Sequence, residues 1–121
     1  LKKKTVLIPS ADVLTLFTTP ITVVDAVAAK AIQVVSAVCK IDYGTTPYAT
    51  NTAIKLGAST DVSTTPQMTA SIAGSFSFWN VFTPVAGGTD LMSDNLVAYV
   101  ATGNPTAGDS DITIVVHYLE V

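Results

Sequence analysis

The last thirteen residues, Asp109-Ser-Asp-Ile-Thr-Ile-Val-Val-His-Tyr-Leu-Glu-Val121, constrain the fold more than any other segment, because β-branched and aromatic residues alternate there up to the final position. Alternation with period two sends successive side chains to opposite faces of a pleated strand, and Val, Ile, Thr and Tyr are the residues that suit such a surface. Just before it, Gly103-Asn-Pro-Thr-Ala-Gly-Asp-Ser is a cluster of turn formers, and before that Leu96-Val-Ala-Tyr-Val-Ala-Thr alternates again. Two antiparallel strands joined by a loop are expected from this order. A closing strand of this kind implies a sheet that closes on itself or on a partner, with function in an assembled surface rather than in a catalytic pocket.

The rest of the chain is written in the same vocabulary. Thr occurs eighteen times and Ser nine, whereas Glu appears once and Gln twice, so the polar residues that favour helices are scarce. Breakers recur at short intervals, among them Pro9, Pro20, Gly44, Pro47, Gly57, Pro66, Gly74, Pro84, Gly87, Gly88, Gly103 and Pro105. Short strands between frequent turns indicate a sandwich or barrel. The expected strands are Lys4 to Ile8, Leu14 to Phe17, Ile21 to Val24, Ile32 to Tyr43, Ala53 to Gly57, Gly74 to Phe82, Asn95 to Ala101 and Ile112 to Val121. The expected fold is therefore all-β: a single-domain antiparallel β-sandwich over residues 1–121, jelly-roll-like, with about eight strands.

Two segments carry competing signals. In Asp25 to Lys40, polar residues at 25, 30, 33, 36 and 40 also fit a helical period behind an Asp cap. The β-branched content of Ile32-Gln-Val-Val-Ser-Ala-Val-Cys-Lys-Ile-Asp-Tyr favours a long strand, with Ala26 to Lys30 as a turn. Pro66-Gln-Met-Thr-Ala-Ser-Ile-Ala reads as irregular, or as one helical turn beginning near Thr65.

Charge excludes some classes of function. Only 12% of the residues are charged, 49% are apolar, the net charge is −3, and no Arg is present. Nucleic-acid recognition draws on spread-out Lys and Arg, so it is not expected. No apolar run reaches the roughly eighteen residues of a membrane helix, since Asp12, Pro20, Asp25, Lys30, Gln33 and Lys40 interrupt the candidates. Pro9 and Asp12 break the apolar stretch that follows the basic opening, Leu1-Lys-Lys-Lys, before it reaches the length of a secretory signal. A mean hydropathy of +0.50 exceeds what one small interior hides, which points to an oligomer.

Chemistry has few carriers. His117 is the single histidine, on the strand face shared with Thr113, Val115 and Leu119, and every nucleophilic scheme would rest on it. One His and one Cys fall short of a zinc site. Cys39 sits in an apolar run and is expected to pack as a small hydrophobe. Asp90, Asp94, Asp109 and Asp111 lie near turns, where carboxylates either bond their own backbone or ligate calcium; the first is the commoner use. No catalytic residue, cofactor or metal site is assigned. The aromatic run Phe76-Ser-Phe-Trp-Asn-Val-Phe82 is different in kind: as a strand it puts Phe76, Phe78 and Phe82 on one face and Trp79 with Val81 on the other. Bulky groups on both faces imply a strand covered on both sides or one that forms a subunit interface, so Phe76, Phe78, Trp79 and Phe82 are the candidate interface residues.

Taken together, Thr5-Val-Leu-Ile-Pro-Ser-Ala-Asp-Val-Leu-Thr-Leu-Phe, the Lys40-Ile-Asp-Tyr-Gly-Thr-Thr-Pro-Tyr-Ala-Thr-Asn-Thr segment and Asn95 to Tyr118, with its Thr-Gly-Asn-Pro-Thr-Ala-Gly-Asp connection, resemble small virion proteins of tailed bacteriophages. The resemblance implies a decoration or cement protein on the outside of the capsid, a β-sandwich working as a homotrimer or dimer. Its implied partners are the major capsid protein or other virion proteins, with no nucleic acid or membrane. The family carries no catalytic motif, so no site residue transfers. The Lys2 to Lys4 arm is expected to reach an acidic neighbouring subunit.

Two other readings fit the same residues. One is a phage tail, baseplate or fibre module. The other is a carbohydrate-binding β-sandwich that uses Trp79, Tyr43 or Tyr48 as a stacking platform.

Overall fold

A computed structural model of the chain describes residues 1–59, 68–84 and 94–121. Its elements are β1 (Lys2–Ile8), the single-turn helix α1 (Ser10–Val13), β2 (Ile21–Val24), β3 (Ile32–Asp42), β4 (Ala53–Ala58), β5 (Met68–Ser71), β6 (Phe78–Val81), β7 (Thr83–Pro84), β8 (Leu96–Tyr99) and β9 (Asp111–Glu120). They form two antiparallel sheets, one ordered β1-β9-β3-β6 and the other β2-β8-β4-β5-β7.

The pairing is nested. β1 pairs with β9, β2 with β8, β3 with β6, and β4 with β5. Each later strand thus returns beside its counterpart from the first half of the chain, and the resulting ribbon is rolled so that β3 also meets β9 and β4 also meets β8. This is the jelly roll, and β7 adds two residues to the free edge of β5. Pro84 lacks a backbone donor and sits in that edge strand, where a missing donor is tolerated.

The core lies between the sheets. Along β9, Ile112, Ile114 and Val116 are fully buried while Thr113, Val115 and His117 between them are half-exposed, as the alternation requires. They meet Ile8, Ala37, Cys39 and Ile41 from the same sheet and Ile54, Leu56, Ala70, Leu96 and Ala98 from the other. β3 keeps its apolar residues inward despite a change of parity, from Ile32 and Val34 to Ala37, Cys39 and Ile41. A bulge between Val34 and Ser36 absorbs the change and leaves Val35 exposed.

The last two long strands do not form the expected antiparallel pair: β8 lies in the sheet with β2 and β4 and β9 in the sheet with β1 and β3, so the Gly103 to Ser110 connection crosses between sheets. Three expected elements also differ from those observed. Leu14 to Phe17 is not a strand: after α1 the chain turns through Thr15 N–H to Asp12 and Thr19 N–H to Thr15, and the Asn104 side chain accepts the Phe17 N–H at 2.9 Å. Val13 and Leu16 of this segment are both fully buried and join the core between the sheets. The run from Gly74 to Phe82 is strand only over β6, because the Ser77 hydroxyl accepts the Tyr43 N–H and holds the preceding residues in a turn. Met68 to Ser71 is a strand, not irregular or helical: Met68, Ala70 and Ile72 are buried, with Thr69 and Ser71 between them on the other side.

Candidate interaction face

The loops joining β3 to β4 and β8 to β9 lock together at one end of the sandwich. Ala49 and Thr106 exchange backbone hydrogen bonds of 2.9 and 2.8 Å, the Thr102 hydroxyl reaches the Asn51 side-chain oxygen at 2.6 Å, and the Asn51 amide donates to the Asn104 carbonyl at 3.3 Å. These contacts hold Thr50, Asn51 and Ala107 at left-handed φ of 48°, 49° and 66°, a region that disfavours side chains bearing a Cβ. The turn-forming run between the last two strands therefore acts as a clasp.

The turn carboxylates serve this architecture. Asp109 accepts the Thr45 hydroxyl at 2.5 Å and the backbone N–H groups of Thr45 and Thr46 at 2.9 and 3.0 Å, and these bonds hold its carboxyl below the ordinary value. Asp111 accepts the Ser10 N–H at 2.9 Å. Asp94 accepts the Ser59 hydroxyl and the Asn95 N–H. Asp90 lies outside the described residues. Among the described residues, no three His, Cys, Asp or Glu side chains gather as a metal site would require.

His117 and Cys39 are on opposite faces of the same sheet. Cys39 is fully buried between the sheets, and its thiol is pushed up to about 12 by desolvation. His117 stands on the outer face beside Lys3 and Ser36. Among the described residues, open hollows lie between residues 26–31 and Val121, about 450 Å³, and beside Thr69, Asn80 and Thr83, about 300 Å³. Neither brings a nucleophile to a base.

What the structure does assemble is an apolar face. Strand registry across β1, β9, β3 and β6 lines up the outward side chains in levels: Leu7, Thr113, Lys40 and Trp79 in one, Thr5, Val115, Val38 and Val81 in the next. Beyond the first of these levels lie Asp111 and Asp42, and beyond the second lie Lys3, His117 and Ser36. Trp79 is 58% exposed and Val81 59%, with Leu7 and Val35 equally open. The Lys40 ammonium lies 5.9 Å from the centre of the Trp79 ring and 3.2 Å from Asp42, within cation–π reach.

The four candidate interface aromatics separate. Phe82 is 2% exposed and belongs to the core, so it presents nothing to a partner. Phe78 packs partly against the core, with Phe76 tilted against it at 5.2 Å between ring centres and itself 64% exposed. Trp79 is on the outer face, as alternation requires. Val81, Val38, Val115 and Leu7 complete that face, and individual strands could not reveal them because it depends on registry between four strands. Of the tyrosines expected as a stacking platform, Tyr48 is buried with its hydroxyl bonded to the Ser110 carbonyl, and Tyr43 is half-buried with its hydroxyl bonded to the Thr45 carbonyl. Lys2 to Lys4 form no free arm; they belong to β1, and Lys2 pairs with Glu120 of the same chain at 3.2 Å.

Comparison of the chain with protein-family models, curated proteins and solved structures gives no match. The jelly roll and the apolar face stand on the structure alone.

Proposed function

We propose that the chain is a structural component of a bacteriophage virion, a decoration or cement protein that sits on the outside of the capsid and stabilises it through subunit contacts. The observation that supports this reading is the outer face of the β1-β9-β3-β6 sheet. The interior is complete without Trp79, Val81 and Leu7, yet these side chains are held in one registered surface, as a protein that works by contact requires. The resemblance of the Thr5 to Phe17, Lys40 to Thr52 and Asn95 to Tyr118 segments to tailed-phage virion proteins points the same way.

Burying such a face is worth about 25 cal/mol per Å² before the costs of association are met. Single contacts of this kind are modest. Many copies on a lattice resist pressure because releasing one contact leaves its neighbours engaged.

Immunogold labelling of virions of the encoding phage tests the assignment. Label over the head is the expected result. Label over the tail transfers the chain to a baseplate or fibre role, and particles free of label on both overturn the virion reading.

A further inference from the structure

The outer face of the four-stranded sheet has a charge pattern as well as an apolar centre. At the end where the clasp lies, Asp42 and Asp111 are cross-strand neighbours; two levels of mainly apolar residues separate them from Lys3 and His117 at the other end. One end of the face carries two carboxylates and the other the Lys3 ammonium beside His117. Lys40, between them, is already paired with Asp42 at 3.2 Å, and Lys2 with Glu120 on the inward side.

We propose that this face packs against the same face of a second copy about a two-fold axis lying in the interface and running across the strands. The inference rests on the reading of the chain as a protein that works by subunit contact, and it names the occupant of the face. A half turn about that axis, placed between the Trp79 and Val81 levels, sets Trp79 of each copy against Val81 of the other. It also lays Asp111 of each copy over His117 of the other and Asp42 over Ser36, with Lys3 one strand away from the opposing Asp111.

Charge selects this arrangement over the other face-to-face dimer. An axis running along the strands would lay the Asp42 and Asp111 level on itself and bring four carboxylates together, and like charges in register oppose association. The transverse axis makes the face self-complementary, as an isologous contact must be.

The area sets the strength. Thirteen outward positions, four in each central level and two and three in the outer ones, each about 4.8 Å by 6.8 Å, give about 420 Å² per copy, or about 850 Å² in total, the size of a weak, transient contact. A reversible dimer is expected.

Sedimentation equilibrium of the full chain from about 1 µM to 1 mM tests this. The wild type should dissociate from dimer to monomer within that range. His117→Asp puts a carboxylate over Asp111 of the second copy, one strand from its Asp42, and should weaken the dimer about tenfold or more, while within its own chain the new carboxylate sits beside Lys3 and leaves the fold intact. Adding Asp42→Lys should restore the affinity. Val81→Lys, at an exposed position, should give monomer throughout.

A wild type that is monomeric at every concentration, a trimer, or a dimer indifferent to both His117→Asp and Val81→Lys overturns the proposal. Its failure is distinct from failure of the virion reading. A monomer that labels phage heads loses only the dimer, and a charge-sensitive dimer absent from virions loses only the location.

Discussion

The ring of Tyr48 lies directly over Gly108: a Cβ built at position 108 would stand 2.0 Å from the ring. The Tyr48 hydroxyl then donates to the carbonyl of Ser110, so one side chain from the β3–β4 loop pins the β8–β9 loop at two points. Glycine is required at 108 for closeness of approach. Gly108→Ala should destabilise the protein by about 1–3 kcal/mol through overpacking, read as a lower urea midpoint. An unchanged midpoint would mean that Tyr48 does not pack there.

Asp109 gives the clasp a pH dependence. Hydrogen bonds from the Thr45 hydroxyl and from the Thr46 and Thr45 N–H groups favour its charged form, so its folded-state pKa lies below the ordinary 3.8. A depressed carboxylate pKa contributes stability that is present above the unfolded value and lost as the pH falls through the folded one. Asp109→Asn should therefore be less stable than wild type at neutral pH, and the gap should narrow below about pH 4. Urea titrations across the acid range measure it; a gap that stays constant with pH would refute the assignment.

Cys39 is buried, and its thiol is raised to about 12. Only the thiolate reacts quickly with disulfide and maleimide reagents, and burial also blocks access. Labelling of the native protein at pH 8 should be slow and should accelerate across the urea unfolding transition. Rapid labelling without denaturant would show that the sheets part easily.

Two apolar residues of the same sheet should respond oppositely. Ile114 is fully buried and Val81 is 59% exposed. Ile114→Ala should cost about 2–5 kcal/mol of stability. Val81→Lys should change the stability of the monomer by no more than about 0.5 kcal/mol, while impairing association. Equal losses of stability in the two variants would place Val81 in the core.

Much of the fold is legible in the residues, and the exceptions have local causes. β9 is long, rich in β-branched residues and alternates cleanly, so period alone identifies it, whereas β3 is identified by its β-branched content. The parity shift in β3, apolar at 32 and 34 and then at 37, 39 and 41, is the trace of its bulge; read as mere disorder in the alternation it suggests a helix. Leu14 to Phe17 looks extended because Leu, Thr and Phe suit strands, but its conformation is fixed by Asn104, distant in sequence. β5 is hidden because its inward residues, Met68 and Ala70, are weak strand formers, and its pairing with Ile54 and Leu56 supplies what propensity lacks.

The candidate face is legible only in part. Alternation in Phe78-Trp-Asn-Val81 places Trp79 and Val81 together, but the same composition sends Phe82 inward, where its N–H meets the Ala37 carbonyl at 2.9 Å. The joining of Leu7, Val38 and Val115 to Trp79 is a property of sheet order. Nested pairing of strands far apart in sequence creates it, and no single segment contains it.

Trp79 is the single tryptophan of the chain and stands on the face through which the protein is held to act, so its emission reports on that face directly. Measured over a dilution series with iodide as quencher, the emission should be blue-shifted and protected at high concentration, then shift to the red and become quenchable as the protein is diluted. An emission equally red and equally quenched at every concentration, and unchanged when the protein is bound to phage particles, would contradict the claim that this face is a subunit contact.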